Sequence, residues 1–293
     1  MPEPAASAEE AEALLDAARS AGSAGSGAPA SWRPAGRGAP QAAAGALRTG
    51  PGRRAPRVRP DPSKTLIFVI DDVGYSMKEL LPFLELPFPL TLAVLPELPG
   101  SAEAAAAIRA SGKELMLHQP MEAIGGQDPG PGAIRLGMDA GEARRVLLSN
   151  LDTVRGAVGM NNHMGSAVTT DPLLMEVVSA LAKERGIYYL DSLTIPATAT
   201  AAAARREGIR YWERDVFLDN APDRASILRA VDDGKKRASK GGPAVMIGHV
   251  WSAELAQTLM DLYPRLVEEG FSLSTISRFM LAEAEGNDES TGN

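Results

Sequence analysis

Seven short apolar runs, none of which alternates with polar residues, limit the possible folds of this chain more than any other feature. The runs are Thr65 to Ile70, Leu90 to Leu95, Glu114 to Leu117, Ala157 to Met160, Ile187 to Leu190, Ile209 to Trp212 and Ala244 to Gly248. Runs of this kind are typical of strands that are buried on both faces, as in a parallel sheet. Segments of helical period separate them, so the sequence predicts an α/β barrel or a doubly wound sheet.

The helical segments have recognisable ends. Ser101 is predicted to cap one helix, and Asp139 with Glu142 is predicted to form a capping box at the start of another. Asp171, which precedes a proline, is predicted to open a third helix that stops at Gly186. These ends support the predicted alternation of strand and helix.

Polar residues follow nearly every predicted strand. They are Asp71 and Asp72, then His118 and Glu122, then Asn161, Asn162 and His163, then Asp191, then Arg214 and Asp215, and finally His249. Barrel enzymes build their sites at the C-terminal ends of strands, and open α/β sheets bind ligands there. Only a ring lets residues from so many strands converge, so a closed or nearly closed barrel is favoured.

The composition predicts three segments. Residues 1–63 are mostly Ala, Gly, Pro, Ser and Arg, and we expect them to be disordered apart from a short helix from Glu9 to Arg19. A single barrel domain is predicted for residues 64–285, and a flexible tail for residues 286–293.

Charge and cysteine content exclude several classes of protein. The net charge of the chain is −7. Residues 1–63 contain eight Arg and six acidic residues and carry +2, so the remaining residues carry −9. A body this acidic argues against nucleic-acid binding, which requires a basic face. With no cysteine, any metal site must use His, Asp or Glu. No apolar run is long enough to predict a transmembrane segment, and the oligomeric state stays open.

All three histidines of the chain follow predicted strands. One histidine at a strand end is more often a hydrogen-bonded core residue, but three that converge with carboxylates suit a hard or borderline metal such as zinc. In the pair Asp71-Asp72, one carboxylate can bind a metal while the other acts as a base. Alternatively, one of them caps the following helix and the other is solvated. Glu122 can equally be a surface carboxylate. Four further residues either orient the catalytic groups or form a structural Arg-Asp pair: Asp191, Arg214, Asp215 and Asp219.

Seven motifs of the chain resemble one known family in their order. They are IDDVGY, TLAVLP, GKELMLHQPME, VGMNNHMGS, YLDS, RDVFLDN and IGH, and they match the divergent polysaccharide deacetylase family, a bacterial branch of the polysaccharide deacetylase superfamily. The resemblance runs from about Lys64 to Ser277. It implies a distorted seven-stranded (β/α) barrel and metal-dependent hydrolysis of N-acetyl groups on sugars.

The resemblance also implies roles for individual residues. Four residues match superfamily motifs: Asp71 as the base, Asp72 as a metal ligand, His118 as the first metal-binding histidine and His249 as the general acid. Ordinary members carry a second metal-binding histidine four residues after the first, where this chain has Glu122. The remaining ligand is therefore either His163 from the neighbouring strand or Glu122 in place.

Together these features predict a zinc-dependent amidase acting on an N-acetylated amino sugar of a cell-envelope polysaccharide or peptidoglycan-like glycan. The metal would polarise the acetyl carbonyl and acidify a bound water, and Asn161 and Asn162 would hydrogen-bond the sugar or the metal ligands. The alternative is a barrel that binds an envelope glycan or a protein partner without turning it over. The resemblance suggests the periplasm or cell envelope, although the N-terminus shows neither the basic start nor the apolar stretch of a secretory signal.

Overall fold

Parallel strands joined by helices make up residues 61–282, the part of the chain that the computed structural model describes. The strands are β1 (Asp61–Val73), β2 (Thr91–Val94), β3 (Glu114–Met121), β4 (Gly159–Met164), β5 (Tyr188–Asp191), β6 (Tyr211–Glu213), β7 (Val216–Phe217), β8 (Ala244–His249) and β9 (Phe271–Ser274). The helices are α1 (Met77–Leu84), α2 (Ser101–Ala110), α3 (Ala140–Thr153), α4 (Pro172–Arg185), α5 (Thr200–Glu207), α6 (Arg224–Ala238) and α7 (Ala253–Glu268). Residues 276–282 are helical as well. The predicted helix from Glu9 to Arg19 and the predicted tail lie outside the described residues.

The strands form one curled sheet in the order β6-β5-β4-β3-β2-β1-β8-β7, with β9 also paired to β1. The two ends of this order, β6 and β7, are separated by Arg214 and Asp215 alone. The Arg214 N–H donates to the Asp191 carbonyl of β5, and the Asp215 N–H donates to the Val245 carbonyl of β8. One stretch of chain therefore bonds to both sides and curls the sheet into a distorted barrel. The predicted fold class is confirmed; the seven predicted strands correspond to β1 to β6 and β8, and β7 and β9 are additional.

Both faces of the strands are buried, which explains why the apolar runs do not alternate. In β1, Leu66, Phe68 and Ile70 belong to a large apolar cluster that includes residues of the surrounding helices. Ile67 and Val69 of the same strand belong to a second cluster with residues of β2, β3, β5 and β8. Successive side chains of a strand point to opposite faces, so the second cluster is the interior of the barrel.

The C-terminal segment closes the interior at the end opposite the predicted site. Ile276 is fully buried in the interior cluster, and the ring of Phe279 packs edge-on against Trp212 at 5.8 Å. Glu114, the first residue of β3, accepts hydrogen bonds from the hydroxyls of Tyr188 (2.6 Å), Thr91 (3.1 Å) and Ser277. This carboxylate therefore ties the C-terminal segment to the start of the strands.

Two of the three predicted helix caps are confirmed. Asp139 and Glu142 form the predicted capping box at the start of α3, and the Asp171 carboxylate caps α4. Ser101 was expected to be a cap but is the first residue of α2, and its hydroxyl donates to the Leu95 carbonyl at 2.6 Å instead. Within the described residues, no helix is long and apolar enough to cross a membrane.

Candidate metal and catalytic site

The candidate site lies where β1, β3, β4 and β8 end. Parallel strands bring their C-terminal ends to the same rim of a barrel. Asp71 pairs in register with His249 of β8, while His118 of β3 pairs with Asn161 of β4. The sheet order thus gathers residues that are up to 178 positions apart in the chain, as expected from their positions at strand ends.

A bulge in β1 brings both of its aspartates to this rim. Neighbouring residues of a regular strand face opposite sides of the sheet, but the pairing of β1 with β2 shifts between Ile70 and Val73. Within this irregularity Asp72 has a positive φ of 65°, a conformation that is uncommon outside glycine. As a result, a carboxylate oxygen of Asp71 lies 3.7 Å from His118 Nε2, and one of Asp72 lies 3.2 Å from it.

Three side chains present potential metal-binding atoms to one another. Asp72 Oδ1 lies 3.2 Å from His118 Nε2 and 3.0 Å from His163 Nδ1, and the two nitrogens are 3.2 Å apart. Asp72 Oδ1 is buried without a well-aligned hydrogen-bond donor. In tetrahedral zinc sites, bond lengths of about 2.0–2.1 Å separate the ligand atoms by about 3.3 Å. The group Asp72, His118 and His163 therefore fits a metal ion in both donor type and spacing.

Asn161 fixes the ring orientation and proton position of His118. The Asn161 side-chain amide donates to both carboxylate oxygens of Asp71 (2.9 and 3.0 Å). This leaves the Asn161 carbonyl oxygen as an acceptor, 2.8 Å from His118 Nδ1, so Nδ1 carries the proton. In the neutral ring the lone pair is then on Nε2, which faces Asp72 and His163. A partner on the far ring nitrogen is the usual support of a metal-binding histidine.

The buried charges shift each other's protonation. Burial raises the pKa of Asp71, although His118, His249 and the Asn161 amide oppose that effect. Burial also favours a raised pKa for Asp72, but His163 and His118 outweigh it and hold the pKa well below the usual range. The lowered pKa favours the ionised form of Asp72, the form that a metal ligand requires.

His249 is held between charged and aromatic groups. Asp219 accepts a hydrogen bond from His249 Nδ1 (2.9 Å) and another from its backbone N–H (2.8 Å). Burial lowers the pKa of His249, but the carboxylate of Asp219, assisted by Asp72 and Asp71, raises it to about 10. At neutral pH the imidazole therefore carries two protons, and Nε2–H is free to be donated.

Two rings stack on the His249 imidazole. Phe217 lies 6.1 Å away with an interplanar angle of 20°, and Trp251 lies 5.0 Å away at 17°. The indole N–H of Trp251 donates to Asp72 Oδ2 at 3.2 Å. Trp251 therefore touches both His249 and a residue of the metal-fitting group.

Two residues near this site bond elsewhere. Glu122 is half-buried, and its carboxylate accepts from the Leu136 backbone N–H (2.9 Å) in the loop that precedes α3. Asn162 donates to the Met164 carbonyl (2.7 Å) and accepts from the Ser192 N–H (3.0 Å). Both contacts hold loops at the rim, and neither residue belongs to the metal-fitting group.

The remaining predicted residues form hydrogen bonds mainly with backbone groups around the site. Asp191 accepts from the Leu193 N–H (2.9 Å), and Arg214 donates to the carbonyls of Ser192 (2.8 Å) and Leu193 (3.1 Å). The carboxylate of Asp215 is bonded to Arg237 of α6 (2.9 Å) and to the Val245 N–H (2.8 Å). Arg214 and Asp215 thus bond to different groups.

Sequence reasoning did not single out Trp251 or Phe217. Trp251 follows His249 by two positions and is an exposed tryptophan beside a strand end, which is the one signal that could have drawn attention to it. The link to Asp72 spans 179 positions. Its detection requires the pairing of β1 with β8.

Similar proteins were found among curated sequences and solved structures. An uncharacterized protein of Haemophilus influenzae is 34% identical over 63% of this chain, and an uncharacterized protein of Escherichia coli K12 is 34% identical over 68%. The matches span 66% and 63% of these relatives' own lengths, slightly less than two thirds.

Solved structures show the same fold. An uncharacterized protein of Agrobacterium tumefaciens C58 superposes with a TM-score of 0.68 at 22% identity, covering 77% of this chain and 92% of its own. A putative cellobiose-phosphate cleavage protein of Enterococcus faecalis gives 0.53 at 16% identity, covering 73% and 97%.

A family model decides the classification. The model of the divergent polysaccharide deacetylases matches residues 68–280, which is most of the chain and nearly all of the described barrel. This range includes every residue of the site described above. The chain therefore belongs to the divergent polysaccharide deacetylase family.

Proposed function

We propose that the protein is a zinc-dependent deacetylase that removes N-acetyl groups from amino sugars of a cell-envelope polysaccharide. The observation that carries the proposal is the convergence of three metal-fitting atoms, from Asp72, His118 and His163, with distances of 3.0–3.2 Å between them. Asp71 and His249 flank this group from neighbouring strands. Family membership supports the reaction class.

Asp72, His118 and His163 would hold the metal through Oδ1, Nε2 and Nδ1. A zinc ion bound there would act as a Lewis acid on the acetyl carbonyl and favour ionisation of water. Three protein ligands are typical of catalytic zinc sites, because the fourth position stays open for water or substrate. His163 is partly exposed whereas His118 is buried, so the open side of the group is next to His163.

Asp71 and His249 would move the protons of the reaction. Water adds to the acetyl carbonyl, and Asp71 takes the proton that the water loses. The C–N bond then breaks, releasing acetate, and His249 gives a proton to the departing amine. The Asn161 amide orients Asp71 through two hydrogen bonds, and Asp219 keeps His249 protonated.

Acetate release tests the reaction directly. The protein, purified without chelator, would be incubated with chitooligosaccharides and with peptidoglycan fragments, and acetate measured enzymatically. We expect release that chelation abolishes and added zinc restores. Binding of these glycans with no acetate released, even with excess zinc or cobalt, would reject the proposal and favour a glycan-binding barrel.

The ligand assignment is tested by metal content. His163→Ala is expected to lose most of the bound zinc because it removes one of three ligand atoms. Glu122→Ala is the matched control, because its carboxylate accepts from Leu136, and it should retain the zinc of the unaltered protein. The opposite pattern would assign the third ligand to Glu122.

The proposed substrate implies a place of action. Polysaccharides with N-acetylated amino sugars are components of the bacterial envelope, so we propose that the protein works in the periplasm or at the cell envelope. Fractionation of producing cells would test this, and recovery of the protein only with cytoplasmic markers would contradict it.

A further inference from the structure

We propose that Trp251 is a positioning residue that holds Asp72 ready to bind the metal. This inference rests on the proposed function, because it presumes that Asp72, His118 and His163 hold a metal ion. It assigns a role to a residue that lies outside the motifs by which the chain resembles its family.

The hydrogen bonds divide the two oxygens of Asp72 between different tasks. Oδ2 accepts the indole N–H of Trp251 at 3.2 Å, whereas Oδ1 lacks a well-aligned donor and faces His118 and His163. A carboxylate with one oxygen bonded to the protein can turn only slightly. The indole therefore selects the rotamer that presents Oδ1 to the two imidazoles.

Asp72 needs such support because its backbone is irregular. It lies in the bulge of β1 with a φ of 65°, outside the regular ladder that fixes its neighbours. Left-handed backbone in a non-glycine residue is strained and persists only where the surroundings enforce it. The bond from Trp251 is one such constraint.

Trp251 is itself well placed to constrain another residue. Its backbone lies in a turn in which the Ser252 N–H donates to the His249 carbonyl (3.1 Å), and the Val250 N–H donates to the Asp71 carbonyl (3.0 Å). Its ring stacks on the imidazole of His249 at 5.0 Å. These contacts fix the indole from the β8 side and make it a bridge from His249 to Asp72.

The test separates the indole N–H from the aromatic ring. Trp251→Phe removes the donor to Asp72 but keeps a ring that can stack on His249. Trp212→Phe is the matched control, because Trp212 packs on Phe279 in the barrel interior. Zinc affinity would be measured on metal-free protein by competition with a chromogenic chelator, and the visible spectrum of the cobalt form would report ligand geometry.

We expect Trp251→Phe to bind zinc about tenfold more weakly or worse, within the range of about 10–100-fold found for partners of metal ligands, with an altered cobalt spectrum. Trp212→Phe should match the unaltered protein in both measurements. A smaller loss in Trp251→Phe, or an equal loss in Trp212→Phe, overturns the role of Trp251 and leaves the proposed function standing. An unaltered protein that binds no zinc overturns both.

Discussion

Replacing Asp219 by Asn would remove the charge that keeps His249 protonated. Asp219 contacts the imidazole Nδ1 at 2.9 Å and the His249 backbone N–H at 2.8 Å. An amide has about the same shape as a carboxylate but only one acceptor oxygen. One of the two His249 contacts is therefore lost along with the charge.

The expected effect on His249 follows from its surroundings. The pKa is about 10 in the folded protein, against an ordinary value of 6.5, and burial alone would lower it. Asp219 raises it through both its charge and its hydrogen bond, ahead of Asp72 and Asp71, so we expect the pKa of His249 to fall by about 2 units in Asp219→Asn. Two units correspond to about 3 kcal/mol of interaction with the charged imidazole.

The raised pKa of His249 determines how stability and activity change with pH. The folded pKa of His249 lies above the unfolded value, so the ion pair contributes its full stabilisation below about pH 6.5 and loses it as the pH rises to about 10. In the proposed reaction His249 is the general acid and must be protonated, so activity should fall as the pH rises through the folded pKa of about 10. In Asp219→Asn, the alkaline limb of kcat/KM should move to lower pH.

Histidine NMR measures this pKa without reference to activity. The chain has three histidines, so the Cε1–H signals of untagged, metal-free protein can be assigned with a His249→Gln variant. The His249 signal should not titrate between pH 5 and about 8 in the unaltered protein but should do so in Asp219→Asn. A midpoint near 6.5 in the unaltered protein, or an unchanged midpoint in the variant, would refute the reasoning.

Two further substitutions test the support of the site and of the barrel. Asn161→Leu removes the acceptor of the His118 Nδ1 proton, so zinc affinity measured by chelator competition should fall about 10–100-fold; unchanged affinity would show that His118 needs no such partner. Gly159→Ala would place a Cβ 2.3 Å from the buried ring of Tyr188, and overpacking of this kind costs about 1–3 kcal/mol. Its Tm should fall by about 3–10 °C, and by more than that of Gly112→Ala, where a Cβ meets nothing within 4 Å and alanine is opposed by the positive φ of 73° alone.

The fold is readable from the sequence because its strands are buried on both faces. Leu66 and Phe68 pack toward the helices while Ile67 and Val69 fill the interior, so the run stays apolar throughout and predicts a parallel strand. The two strands that the sequence did not reveal lack this signature. The strand β7 has only two residues, and β9 reads Phe-Ser-Leu-Ser with mostly half-buried side chains.

The site is less readable, because position along a strand does not determine what a polar side chain touches. Asn161 and Asn162 are adjacent and look alike in sequence, yet Asn161 joins Asp71 to His118 while Asn162 bonds to loop backbone. The bulge at Asp72 matters most, since a regular strand would have turned one of the two aspartates away. A bulge of this kind leaves little mark in the sequence.

The first strand of the barrel, β1, pairs with strands that are among the last to be synthesised. The strand β1 pairs with β2 and β8 and also with β9, whose Leu273 is in register with Leu66. Leu66 pairs with Ala244 of β8 and Leu273 of β9, which lie 178 and 207 positions further along the chain. Such distant pairings are slow to form, because the intervening chain must close a long loop first. During synthesis, β1 leaves the ribosome long before β8 and β9 exist. At a synthesis rate of about 5–20 residues per second, β8 and β9 follow β1 by roughly ten seconds or more. During this interval the apolar edge of β1 is unpaired, and a chaperone that binds β1 would then have its largest effect on aggregation.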